Sequence, residues 1–482
     1  MLYYAAALAP MVILFGLHWS FLPALEATDF AQYMMQAESF LRGDGIMGSR
    51  YIRTEQHVGV GPSAYPPGLP LVLVPFVGVF GHSLAATKFL MLLFAVAFLL
   101  IAGRYFGDRY GVWAGVAVIL MTGVALETSY ATQAPQSDLG FCAFLWGMFL
   151  LADSKERWSW RRVAAITLLG LAAFAFRTAA LPLLPALGMY ALIRWRELGT
   201  RALVPLFVWG AAVLGAMPLF GSSLASAGTT VAPQFVRYRL AVFHAELYPF
   251  TANVANDWYH VVGTILVLIG LAVWLLETRL RSLVAIFTIV YVLTLGFVSG
   301  TDNRYLWPAY PLIAFAFVHG LRAVIVLARR MWSERRVQQA ALAGVALVVL
   351  VATMTAATRP RPASLLGMPD VQALFERVRA LDRDASPRVV FVNPRVLAWS
   401  TGVHSMPQFA GDPDEILDQL RRSRMTHVVV GDIGVLSPLN TLFEDAIRVH
   451  RDRFVLEYEN PTFRLYRFTD VSRAGDPRTE AR

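Results

Sequence analysis

Charge and cysteine are both scarce in this chain. Of its 482 residues only 16% are Asp, Glu, Lys or Arg, and the one cysteine is Cys142. A lone cysteine rules out an intrachain disulfide. The nine histidines are scattered without metal-ligand spacing, so no metal site can be read, although use of a divalent metal is left open. The sequence has neither a glycine-rich phosphate loop nor a nucleophile elbow, and it has no internal repeat. Apolar residues, by contrast, make up 56% of the chain. They recur in blocks of roughly 17 to 23, and about 20 helical residues cover the ~30 Å of a bilayer core with every backbone hydrogen bond made internally. The fold class expected is an all-α polytopic membrane protein.

Hydropathy places eleven spans, near residues 3–24, 84–103, 111–127, 137–152, 163–176, 178–194, 202–220, 260–277, 282–298, 305–327 and 338–357. The first block lacks a basic leader and a small-residue cleavage site, and is expected to be a retained anchor. Basic residues fix an orientation, because Lys and Arg collect in short cytoplasmic loops. Arg104 and Arg109, then Lys155, Arg157, Arg161 and Arg162, then Arg194, Arg196 and Arg201, then Arg279 and Arg281, then Arg329, Arg330, Arg335 and Arg336 follow the even-numbered spans. The short loops after spans three, five and nine hold only Arg177 and Arg304. The N-terminus is therefore expected inside and everything beyond residue 358 outside. The net charge of +9 is spread over loops that would face anionic headgroups and lacks interleaved aromatics, which argues for membrane lipids and against nucleic acid as a partner.

Three domains are expected: a transmembrane catalytic domain over 1–357, a soluble α/β domain over 358–470 and a disordered tail over 471–482. Within the first, residues 25–83 and 221–259 are external loops too long to be turns. The first loop opens with "DFAQYMMQAESFLRGDG", which has apolar residues on one face and a glycine stop, and reads as an amphipathic helix on the outer membrane surface. In "YPPGLPLVLVPFVGVFG" four prolines argue for a partly embedded segment rather than a straight span. Beyond 358, "RVVFVNP", "THVVVGD", "RFVLEYEN" and "FRLYRFT" read as strands, and "DVQALFERVRALDR", "DEILDQLRRSR" and "LFEDAIRVHR" as helices.

Taken in order, the acid in "TDFAQYMMQAESFLRGDG", then "YPPGLPLVLVPFVGVFGHSLAATKF", a second acid in "YATQAPQSDLGF" and the late "DNRYLWPAYPLIAF" resemble the membrane glycosyltransferases of the GT-C fold, in the branch of protein mannosyltransferases and aminoarabinose transferases. The resemblance runs over residues 1 to about 330. It implies transfer of a sugar from a polyprenyl-phosphate-linked donor to a glycan, lipid or protein acceptor outside the cytoplasm, and in a bacterium a periplasmic active site on the inner membrane. It also implies Asp29 as the base toward the acceptor and Asp138 as a second acid of the cleft. Glu26 is the reserve candidate, and a lone Asp29 followed by Phe30 departs from the paired acids of many family members.

The residues themselves admit plainer readings. Asp29, with Gln32 after it, fits a helix cap, and Ser137 with Asp138 fits a cap on the fourth span. Arg304 suits either a headgroup anchor or a bidentate clamp on the donor phosphate, beside Tyr305 and the aromatic run after it. Arg177 is open in the same way, and Tyr65 suits either an interfacial belt or a ligand contact. A transporter or flippase of lipid-linked sugars is the competing class. It would need midplane acids and paired broken helices. If Asp29 is the base, Asp29→Asn is expected to lower turnover at least about a hundredfold with little change in thermal stability, and Glu26→Gln to do less.

Overall fold

The computed structural model describes residues 2–23, 29–46, 48–54, 56, 65–153, 158–226, 258–297, 303–327, 333–358, 363–431 and 437–470. Glu26, most of the 221–259 loop and the 471–482 tail lie outside the described residues. The chain forms two compact units. One comprises Met1–Phe21, Pro66–Val72 and Phe80–Arg361, the other Leu22–Tyr65, Leu73–Val79 and Pro362–Arg482.

The first unit is helical throughout its described residues. Each expected span overlaps one or more helices, for example Leu84–Tyr110, Ser137–Ala152, Trp160–Phe176 and Glu334–Thr358. Among the described residues five helices are long and apolar enough to cross a membrane, and six further apolar helices are shorter. The protein is an integral, multi-pass membrane protein. Small residues set its closest helix crossing. A Cβ at Gly270 would collide with the carbonyl of Ala316, and one at Gly320 with the carbonyl of Leu266, so two backbones meet here as lipid-embedded helices often do.

The first span ends earlier than hydropathy suggests. Helices Leu2–Ala7 and Ala9–Leu17 stop well short of residue 24. His18 is buried and bonds Ser129 Oγ at 2.7 Å and the Ala356 carbonyl at 3.1 Å. Lys88 Nζ then donates to the carbonyls of Trp19 and Phe21, at 2.5 and 2.7 Å. Carbonyls turned toward an ammonium cannot continue a helix, so polar partners override the apolar run. The proline-rich segment is itself a helix, Gly68–Phe80, with Pro75 inside it, and at 13 residues it is too short to cross alone.

The second unit contains a five-stranded sheet in the order β2-β1-β3-β5-β4. Its strands are β1 (Arg388–Val390), β2 (His404–Met406), β3 (His427–Gly431), β4 (Phe454–Glu459) and β5 (Phe463–Phe468). β1 pairs in parallel with β2 and β3, and β5 runs antiparallel to both β3 and β4. Val390, Met406, Val428, Val430, Phe443 and Phe468 form its core together with Ile416 and Leu420. The sequence reading finds four of these strands and misses β2, which has only three residues and a polar start. It also misses the helix Pro394–Thr401 between β1 and β2.

Residues 22–65 belong to this second unit rather than to the spans they separate in sequence. Tyr51 bridges Ser405 beside β2, the Ile52 amide donates to the Ser405 carbonyl at 2.8 Å, and the Ser405 amide donates to the Arg50 carbonyl at 3.0 Å. The expected surface helix is present as Asp29–Arg42 and ends at the expected glycine, Gly43, at φ +80. The amides of Gly43 and Asp44 reach back to Phe40 and Ser39, a Schellman closure. Its setting differs from the expectation. Every residue from Phe30 to Ser39 is buried, polar ones included, and the helix packs on Pro394–Thr401 with Phe30 edge-on to Trp399 at 5.1 Å. It is a core helix packed within the protein, with its polar side covered as well.

Candidate functional site

In the second unit, three side chains from sequence-distant segments converge. Asp29 opens the Asp29–Arg42 helix, Tyr65 lies just before Gly68–Phe80, and Arg395 is in the first turn of Pro394–Thr401. Arg395 Nη1 lies 3.0 Å from Asp29 Oδ1, with the side chains only 12% and 14% exposed. The Tyr65 hydroxyl donates to the same oxygen at 2.7 Å and accepts from Arg395. The guanidinium also lies 5.6 Å from the Tyr65 ring centroid, and Tyr33 meets that ring edge-on at 5.2 Å.

Burial pushes the Tyr65 pKa well up, with Arg395 opposing and Asp29 adding to the rise, so at neutral pH the phenol is a neutral donor. Burial acts to lower the Arg395 pKa, but Tyr65 and Asp29 overcome it and the net direction is up. The arrangement is a buried, charged carboxylate–guanidinium pair with a phenol bridging its two members. A carboxylate held at one oxygen by a cation and a hydroxyl is fixed in orientation, as a group that has to meet a substrate must be.

The first unit holds a second acid–arginine pair. Asp138, in the first turn of Ser137–Ala152, pairs with Arg177, which caps the C-terminal end of Trp160–Phe176. The side chains are 3% and 13% exposed. The N-cap position of Ser137–Ala152 is Gln136, without a side-chain bond, so neither Ser137 nor Asp138 occupies the cap itself. The Arg177 guanidinium lies 5.0 Å from the Tyr305 ring centroid, and the Tyr305 carbonyl accepts from Tyr291 at 2.7 Å. Arg304 and Tyr305 share the 3₁₀ segment Asn303–Ala309 and are both partly exposed.

Of the residues proposed from sequence, Asp29 thus meets Tyr65 in one unit, and Asp138, Arg177 and Tyr305 meet in the other. Arg395 was missed. One signal for it was available: a single arginine follows Asn-Pro and opens the otherwise apolar run "VLAW". Among the described residues no three of His, Cys, Asp and Glu are grouped to hold a metal ion. The two described candidate carboxylates, Asp29 and Asp138, each face an arginine, and a guanidinium against a carboxylate oxygen stands where a divalent cation would bind, so these two described donor sets do not fit one.

Solved structures share this fold. ArnT from Cupriavidus metallidurans bound to undecaprenyl phosphate aligns over 98% of both chains with a TM-score of 0.60 at 14% identity. The oligosaccharyltransferase of Archaeoglobus fulgidus in complex with zinc and sulfate aligns over 89% of this chain and 68% of its own, with a TM-score of 0.57 at 12% identity. AglB from the same organism, in complex with an inhibitory peptide and a dolichol-phosphate, covers 88% of this chain and 69% of its own, with a TM-score of 0.51 at 11% identity. No family model and no curated sequence matches the chain. The chain shares the fold of these solved structures, and carries a small α/β sheet domain toward its C-terminal end.

Proposed function

We propose that this protein is a membrane glycosyltransferase that moves a sugar from a polyprenyl-phosphate carrier to an acceptor outside the cytoplasm, with Asp29 as general base. The observation that carries the reading is the convergence of Tyr65 and Arg395 on Asp29 in a chain with this fold. Two of the structural neighbours hold a polyprenyl-type phosphate, undecaprenyl phosphate in one and dolichol-phosphate in the other, which supports a carrier of that class.

The reaction is one displacement. The acceptor oxygen bonds to the anomeric carbon, the bond from that carbon to the carrier phosphate oxygen breaks, the phosphate leaves with the electron pair, and the acceptor proton passes to Asp29. The sugar's configuration inverts, and no enzyme nucleophile is needed. Tyr65 and Arg395 hold the carboxylate in place, and an adjacent guanidinium favours its ionised form. No step is assigned to a metal.

General-base assistance is worth about 10²- to 10⁴-fold. Asp29→Asn is expected to lower turnover at least a hundredfold in nanodiscs supplied with undecaprenyl-phosphate-linked sugars, assayed below the melting temperature of both proteins. Mass analysis of lipid-linked sugars that accumulate on gene deletion identifies the donor. No accumulation, together with no transfer by the purified protein, defeats the reading.

A further inference from the structure

The unit that holds the ion pair also has buried polar groups with nothing to bond. Gln32 is one helical turn from Asp29 on the Asp29–Arg42 helix, close to the same face. It is fully buried, and neither its Nε2 nor its Oε1 has a hydrogen-bond partner. It is the one amide side chain, among the described residues, with both ends unpaired. Elsewhere in the same unit, buried Gln408 donates to the Val429 carbonyl and to Asn440. Tyr51, 6% exposed, is the second orphan, since its hydroxyl has no partner either. Burial pushes the Tyr51 pKa up to about 12, with Arg395 pulling against it, so the orphan phenol feels the charge that holds Asp29.

Unpaired buried polar groups cost stability and persist where another purpose keeps them. The type of group narrows that purpose. A phosphate only accepts, and would leave one end of the Gln32 amide unsatisfied whichever way the amide is turned. A sugar hydroxyl both donates and accepts, and so does a phenol. Sugar hydroxyls therefore match the chemistry of both ends of Gln32 and of the Tyr51 phenol.

Resting on the glycosyl-transfer reading above, we infer that Gln32 and Tyr51 are specificity-determining residues that hydrogen-bond the hydroxyls of a sugar bound beside Asp29 and Arg395. That sugar belongs either to the donor or to a glycan acceptor, and the kinetics distinguish the two.

The test uses Gln32→Met, which keeps length and removes both polar ends, and Tyr51→Phe, with Gln32→Asn as a second variant should Gln32→Met fold poorly. Relative to wild type, Gln32→Met and Tyr51→Phe should melt at the same or a higher temperature, because an orphan is removed. KM should rise about tenfold to a hundredfold for the substrate whose sugar is read, with a much smaller change in kcat. A rise for the undecaprenyl-phosphate sugar assigns the donor, and a rise for the acceptor alone assigns the glycan.

Direct titration of the protein in nanodiscs with undecaprenyl phosphate, bare or carrying a hexose, and with a soluble oligosaccharide, reads the same contact without turnover. Wild type should bind a sugar-bearing ligand more tightly than bare carrier, and Gln32→Met should lose that preference. Melting temperatures unchanged or raised, with KM and sugar preference within twofold of wild type, would overturn the assignment while leaving glycosyl transfer intact. If wild type binds these sugars but transfers none, the transfer reading fails, and the sugar contact stands when Gln32→Met loses the preference and falls when it keeps it. If it neither binds nor transfers, both fail.

Discussion

Replacing Arg395 by Met tests the buried pair directly. The methionine fills much of the same volume but leaves Asp29 and Tyr65 without their cation. Both charged side chains are about seven-eighths buried, and the contact is 3.0 Å, so surface screening gives little relief. Removing one partner of a buried pair costs about 3–5 kcal/mol, because the remaining charge stays desolvated. For a unit of this size, 1 kcal/mol shifts the melting temperature by ~2–4 °C. Arg395→Met should therefore melt at least about 6 °C below wild type, by circular dichroism in detergent.

Asp29→Asn leaves an uncompensated guanidinium, so the buried pair predicts destabilisation where the sequence alone led to an expectation of little thermal change. The double variant should be more stable than the sum of the two losses predicts, with a coupling of at least ~1 kcal/mol. Arg395→Lys, which keeps the charge but loses the fork that serves Asp29 and Tyr65 together, should fall between. If both single variants melt within 2 °C of wild type and their effects add, the pair is not a buried charge network and the site argument built on it collapses.

Other consequences are testable in the same preparations. Arg177→Met should destabilise the protein by about 3 kcal/mol and Asp138→Asn should recover part of that loss, since the pair is nearly inaccessible; additive losses would show that the two do not pair. Arg304→Lys should weaken apparent donor affinity and Arg304→Ala weaken it further, whereas unchanged affinity in both would make Arg304 a headgroup anchor. His427 and His404 are held below the usual histidine pKa, chiefly by burial, with Glu457 opposing at His427 and Arg388 and Arg50 adding to the drop at His404. Their folded pKa lies below the unfolded one near 6.5, so the unfolded state takes up protons first. The stability they confer is complete above about pH 6.5 and is lost as pH falls below it. Melting temperatures of His404→Gln and His427→Gln should depend less on pH between 5 and 7, and a slope equal to wild type would remove these groups from the account. Finally, a reporter fused after residue 358 should be active only outside the cytoplasm; activity inside would reverse the orientation drawn from Arg and Lys placement.

The sequence by itself determined most of the secondary structure and the class of molecule. A bilayer demands ~20-residue apolar helices, a local rule legible from composition, and each expected span overlaps one or more helices. The same holds for the alternating strands β1, β3, β4 and β5 and for the glycine stop at Gly43, because period and turn chemistry act within a few residues. Only the tertiary structure decided where helices yield to polar partners. Lys88 and His18 end the first span at Leu17, and neither the 69 residues between Lys88 and Trp19 nor the 111 between His18 and Ser129 leave a trace in a hydropathy window.

It also decided the setting of the first external helix. Its amphipathic pattern is compatible with a membrane surface, yet the hydrophobic effect buries it against Pro394–Thr401, including Gln32 and Gln36 on its polar side. Asp29 could be chosen from its position in a motif. Its partner Arg395 lies 366 positions away, on a short helix whose own pattern announces nothing. Such a pair forms because the fold brings two charges together where water is excluded, and that exclusion is a property of packing that no single segment encodes.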